Sequence, residues 1–181
     1  RGARGLWPEN TLAGFARTLA LGVSTFELDC AVTRDGVAVV SHDPQLNPDH
    51  TRDTQGRFLE SAGPRICTLD CADLQQYDVG RIRPGTALAA EFPDQRAVDG
   101  ERIPRLAELF TLVSQLGDLS VRFNIEAKLF PLQPELTLAP EPFVRALVEA
   151  IQSTGFESRS TIQSFDWRVL RIVQELDSGI A

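Results

Sequence analysis

Thr25-Phe26-Glu27-Leu28-Asp29-Cys30-Ala31-Val32-Thr33 alternates with period two, the pattern of a strand whose two faces meet different surroundings. Phe26, Leu28, Cys30 and Val32 take one face, and Glu27 and Asp29 share the other. In a parallel barrel the outer face lies under helices, so the apolar set points outward and both carboxylates point inward. Two inward carboxylates repel each other and are costly to desolvate. A divalent cation is the simplest compensation, and Mg²⁺ or Ca²⁺ suits an all-oxygen site. Taken alone, the stretch reads equally well as a polar face on a solvated antiparallel edge strand.

The residues on either side extend the pattern. Arg34-Asp35-Gly36 is a turn signal, and Val37-Ala38-Val39-Val40-Ser41-His42 follows it, so the two runs read as a hairpin. A two-residue Asp35-Gly36 turn sets His42 directly opposite Asp29, with Cβ atoms about 4.5–5.5 Å apart. Upstream, Pro8-Glu9-Asn10-Thr11 leads into Leu12, Phe15, Ala16 and Leu19, an apolar stripe at helical spacing. Asn10 or Thr11 supplies its cap, and Gly22 takes the left-handed position after its end.

Beyond Pro44 the texture changes. Pro, Asp, Gly and Arg recur up to about residue 100, and only residues 69–77 suggest a short helix. A loop that long is foreign to a compact domain, so residues 44–103 are expected to form an inserted subdomain. Residues 1–43 and 104–181 make the main domain. In it a helix runs from Pro104 to near Gly117, with strands over 121–128 and 160–165 and helices over 143–153 and 167–176. Gly179-Ile180-Ala181 begins a further strand. Strands alternating with helices predict parallel α/β architecture.

On the strand at 121–128, Asn124, Glu126 and Lys128 share one face, and Phe123, Ile125 and Ala127 the other. Glu126 is positioned to complete an oxygen-rich ion site, and Lys128 to hold a phosphate as a point charge. A Glu–Lys pair on a solvated strand is the plainer alternative. Glu9 and Asn10 serve either as helix-start groups or as part of the mouth. His50, within Pro48-Asp49-His50-Thr51, is expected at the surface. Gln163 is expected to line the barrel interior, and Phe165 to pack.

The chain has 181 residues, 43% of them apolar, with 25 acids against 18 bases and a net charge of −7. This composition fits one soluble globular domain with an insertion. No Lys/Arg run supplies the basic face of a nucleic-acid binder. No apolar stretch approaches the roughly 18 residues of a membrane span. Cys30 reads as a buried free thiol, while Cys67 and Cys71 lack further Cys or His partners at metal-ligand spacing. The absence of Met is read as a processed or truncated start.

Arg1-Gly2-Ala3-Arg4-Gly5 with Pro8-Glu9-Asn10-Thr11, Glu27-Leu28-Asp29, Thr33-Arg34-Asp35-Gly36, Ser41-His42-Asp43-Pro44, Asn124-Ile125-Glu126-Ala127-Lys128 and Gln163-Ser164-Phe165-Asp166 together resemble the glycerophosphodiester phosphodiesterase family, in order along nearly the whole chain. The resemblance implies a TIM (β/α)8 barrel, present here only in part, with an insertion after the second strand. It also implies metal-dependent hydrolysis of small glycerophosphodiesters to glycerol 3-phosphate and an alcohol. By the same resemblance Glu27, Asp29 and Glu126 match the metal ligands, for Mg²⁺ or Ca²⁺. His42 matches one of two catalytic histidines, Arg1 and Lys128 match phosphate-contacting cations, and Glu9 and Asn10 match a Glu-Asn pair near the site. The family motif begins His-Arg-Gly, so the second histidine is expected just before Arg1, in a longer enzyme of which this is the front part. The alternatives are a phospholipase-like phosphodiesterase acting on lipid or lysolipid, and a non-catalytic glycerophosphate-binding barrel.

Overall fold

The computed structural model describes residues 1–117 and 120–181. Along the chain run α1 (Leu12–Leu19), β1 (Thr25–Val32), β2 (Ala38–Val40), α2 (Cys71–Leu74), α3 (Ala87–Glu91), α4 (Leu106–Gln115), β3 (Arg122–Ala127), α5 (Pro140–Gln152), β4 (Ser160–Gln163) and α6 (Trp167–Leu176). The sheet order is β2-β1-β3-β4, with β1, β3 and β4 parallel and β2 antiparallel to β1. The α/β reading of the sequence holds. After β4, Ile162 N donates to Ala181 O at 2.8 Å and Ala181 N to Ser160 O at 3.3 Å, so Ala181 lies beside β4, although residues 179–181 form no strand of the sheet.

The apolar face of β1 does what its alternation demands. Phe26, Leu28, Cys30 and Val32 join Phe123, Ile125 and Ala127 of β3 under α1, α4, α5 and α6 in one buried cluster. Phe110 stacks on Phe156 at 4.5 Å and meets Phe123 edge-on at 4.9 Å. Fully buried side chains of this size each contribute roughly 1.5–3 kcal/mol, so this face fixes the direction in which the opposite face must point. Burial also raises the Cys30 thiol pKa far above its ordinary value, as expected of an inert core thiol.

Thr11, not Asn10, caps α1: its Oγ1 accepts from Gly14 N at 3.1 Å and donates to Pro8 O at 2.7 Å. Asn10 lies at φ 54°, a left-handed conformation that asparagine tolerates.

The hairpin differs from expectation by one residue. Thr33 N donates to Val37 O and Gly36 N to Thr33 O, each at 3.0 Å, with Gly36 at φ 80°. Arg34-Asp35-Gly36 is therefore a three-residue loop ending in a left-handed glycine, and the register pairs Cys30 with Val40 and Val32 with Ala38. Ser41, not His42, faces Asp29, donating its N–H to Asp29 O at 2.9 Å. Thr33 holds the longer loop together, because its Oγ1 accepts from Val37 N and donates to Asp35 Oδ1.

Residues 44–103 contain α2, shorter than the sequence suggested, and α3, which weak periodicity concealed. Leu46, Ile66, Cys71, Leu74, Val79 and Ile103 form a second small core, to which β1 and β2 contribute Ala31 and Val39. Arg52 spans Asp78 and Asp99, and Arg81 takes the other side of Asp99. This segment also reaches two other loops. Arg96 N donates to Leu6 O at 2.9 Å on one side, and Arg65 NH1 to Glu135 O at 2.7 Å on the other.

Phe165 does not pack. β4 ends at Gln163, and the ring two residues later is 89% exposed. No helix among the described residues is long and apolar enough to cross a membrane.

Candidate active site

The parallel register of β1 and β3 pairs Glu27 with Asn124 and Asp29 with Glu126. Side chains at paired positions share a face, so the carboxylates converge. Oxygen atoms of Glu27, Asp29 and Glu126 lie within 4.8 Å of one another. Asp29 is 1% exposed and Glu126 8%, whereas Glu27 reaches solvent.

Two cations answer this charge. Lys128 Nζ lies 3.0 Å from Glu126 Oε1 and 3.3 Å from Asp29 Oδ1. Burial works against its charged form, but the hydrogen bonds and charges of Glu126 and Asp29 prevail and raise its pKa. Arg1 Nε lies 3.1 Å from Asp29 Oδ2, without hydrogen-bond geometry, and that buried oxygen is unpartnered. Three converging carboxylates with an unsatisfied buried oxygen fit a hard divalent cation.

Arg1 is held in place by its backbone. Its N donates to Glu27 O at 2.7 Å, and its carbonyl accepts from Asn10 N at 3.2 Å. Arg1 NH1 is 3.6 Å from Glu9 Oε2, and Arg4 Nε approaches the same oxygen to 2.5 Å. Asn10 is buried beside them with its Oδ1 unpartnered. Sequence reasoning passed over Arg4. Gly2 and Ala3 both have positive φ, 72° and 56°, and this tight turn carries Arg1 and Arg4 to one carboxylate in a way no periodicity reveals.

His42 stands apart from the carboxylates, at the end of β2. Its Nδ1 faces Asp43 Oδ1 at 2.8 Å, a contact that fixes the orientation of the ring. Burial raises the Asp43 pKa, yet hydrogen bonds from Asn47 and His42 outweigh it and hold the carboxyl below its ordinary range. His42, Asp43, Glu9, Asn10 and His50 line one cavity of about 20 Å³. His50 is thus half-buried in this cavity rather than out on the open surface. Burial lowers its pKa, against the opposing pull of Glu9 and Asp43. Gln163 lines a separate cavity of about 140 Å³ with Glu126.

Three carboxylates that could hold a cation and two basic side chains meet at one end of the strands, with the His42 imidazole in the neighbouring cavity. Comparison with known proteins identifies the family. Residues 1–180 match the model of the glycerophosphoryl diester phosphodiesterase family. A glycerophosphodiester phosphodiesterase of Caldanaerobacter subterraneus is 35% identical over 169 residues, covering 93% of this chain and 57% of the relative. The crystal structure of a candidate glycerophosphoryl diester phosphodiesterase from Silicibacter pomeroyi superposes with a TM-score of 0.91 at 37% identity, over 99% of this chain and 60% of that one. An Oleispira antarctica phosphodiesterase, solved with its product sn-glycerol-3-phosphate, matches with a TM-score of 0.71 at 26% identity, over 100% of this chain and 62% of that one. The chain therefore spans somewhat over half the length of these relatives, and it belongs to the glycerophosphoryl diester phosphodiesterase family.

Proposed function

We propose that the full-length protein hydrolyses glycerophosphodiesters to glycerol 3-phosphate and an alcohol, using Mg²⁺ or Ca²⁺ held by Glu27, Asp29 and Glu126. The carrying observation is the convergence of these three carboxylates within 4.8 Å, between the cations of Arg1 and Lys128. The four-stranded sheet with helices over one face is read as an arc of a (β/α)8 barrel, with 44–103 as an inserted subdomain.

In this reading Lys128 and Arg1 neutralise the phosphodiester and stabilise charge on its non-bridging oxygens in the transition state. His42 Nε2 exchanges a proton with nucleophile or leaving group, and Asp43 holds the ring in the tautomer that allows it. A cation held by Glu27, Asp29 and Glu126 would supply Lewis acidity to this chemistry. Glu9 and Asn10 shape the substrate side of the N-terminal loop.

The test is release of glycerol 3-phosphate from glycerophosphocholine and glycerophosphoethanolamine by the full-length protein, in EDTA and then with Mg²⁺ or Ca²⁺ restored. Metal-restored activity that is lost in His42→Ala and Glu126→Ala supports the assignment. A folded protein that releases nothing with either metal refutes it. A second reading, in which lipid or lysolipid is the substrate, draws on Leu132 and Phe165 in the loops beyond β3 and β4 and on Trp167 at the start of α6, which are 97%, 89% and 81% exposed. Lysophosphatidylcholine in the same assay separates the two.

A further inference from the structure

The two arginines on Glu9 are not equivalent. Arg4 Nε sits 2.5 Å from Glu9 Oε2, while Arg1 NH1 is 3.6 Å away and turned toward Asp29. Neither contact has hydrogen-bond geometry, so distance decides the stronger partner, because the attraction between opposite charges falls as they separate. Arg4 thus takes most of the Glu9 charge.

Arg4 is itself held by the distant insertion. Its guanidinium lies 4.5 Å over the Phe92 ring, and Gln95 Nε2 donates to its carbonyl at 2.7 Å. Arg96 N, the next residue, donates to Leu6 O. Three consecutive features of the chain just after α3 therefore clasp the loop that carries Arg1.

We infer that Arg4, braced by Phe92 and Gln95, is a positioning residue that occupies Glu9 and so keeps Arg1 available to the phosphate of the substrate. The inference rests on the phosphate-binding reading of Arg1 given above. Without Arg4, the Glu9 charge falls on Arg1. That side chain would then lie between two carboxylates with little field left for an anion. The insertion acts on phosphate affinity through this chain of contacts rather than by touching substrate.

The test is a double-mutant cycle in the full-length protein with Mg²⁺ present, read as the Kd for sn-glycerol 3-phosphate by calorimetry. Arg4→Gln is expected to weaken binding about tenfold when Glu9 is present, and by less than about twofold in the E9Q background. Arg4→Lys should recover most of the loss, and Phe92→Ala should give a smaller loss with the same dependence on Glu9. Equal losses in both backgrounds would overturn the inference, since Arg4 would then contact the ligand itself or act only on folding. No loss in Arg4→Gln would overturn it as well. Arg1→Gln tells the two levels apart: wild-type affinity there removes the phosphate-binding reading, whereas weakened affinity there with an unaffected Arg4→Gln removes only the brace.

Discussion

Asp29 and Glu126 are register partners on adjacent parallel strands, and Lys128 Nζ bridges them at 3.3 and 3.0 Å. The pairing brings two nearly buried carboxylates to one place, and the lysine is the same-face residue two positions beyond Glu126. Whatever cation enters this site must share the carboxylates with an ammonium group already hydrogen-bonded to both.

Under the proposed function Lys128 therefore competes with metal while it assists substrate. Lys128→Met is expected to tighten Mg²⁺ or Ca²⁺ binding about tenfold, since hydrogen bonds to charged groups contribute roughly 1.5–3 kcal/mol. The same change should weaken sn-glycerol 3-phosphate binding. Calorimetric titration with each ligand separately checks both directions.

His50 gives the fold a sensitivity to mild acid. Its pKa is lowered in the folded protein by burial, and the unfolded chain carries it near the ordinary value of about 6.5. Below that value the unfolded state binds the proton more readily, so stability present above about pH 6.5 is lost as pH falls toward the lowered pKa. Urea melts at pH 7, 6 and 5 should show a shallower decline for His50→Gln than for the parent.

Gly80 admits no side chain. A Cβ there would lie 1.8 Å from Val98 O, a backbone atom, where Val98 N also donates to Gly80 O at 2.7 Å. Gly80→Ala is expected to open this pairing at a cost of about 1–3 kcal/mol or more. A lowered melting temperature and new proteolytic cuts between residues 80 and 98 would register it.

Thr11 links a helix cap to the loop of the site. Removing its hydroxyl in Thr11→Ala should cost about 0.5–2 kcal/mol, and Thr11→Ser should cost much less. Chemical denaturation of both variants measures the difference.

The strands and their faces were legible because β1 and β3 alternate cleanly, and a period of two states which residues share a side. That was enough to bring Glu27, Asp29, Glu126 and Lys128 together. The position of His42 was not legible, because the hairpin register turns on whether Arg34 belongs to the loop. A Thr33 side chain that bonds both Val37 N and Asp35 settles that in favour of the longer turn. Arg4 and His50 were hidden for a different reason. Their places depend on the insertion folding back over the N-terminal loop, a long-range contact that leaves no local periodicity.

Residues 44–103 tie two separate parts of the chain to themselves, through Arg96 to Leu6 and through Arg65 to Glu135. Their small core is shared with β1 and β2 through Ala31 and Val39. Repacking that core would shift both of these contacts at once, so under the proposed function the site can be retuned by substitutions that never meet the substrate. Under that reading, drift toward new head groups has this route open to it while every charged group of the site stays unchanged.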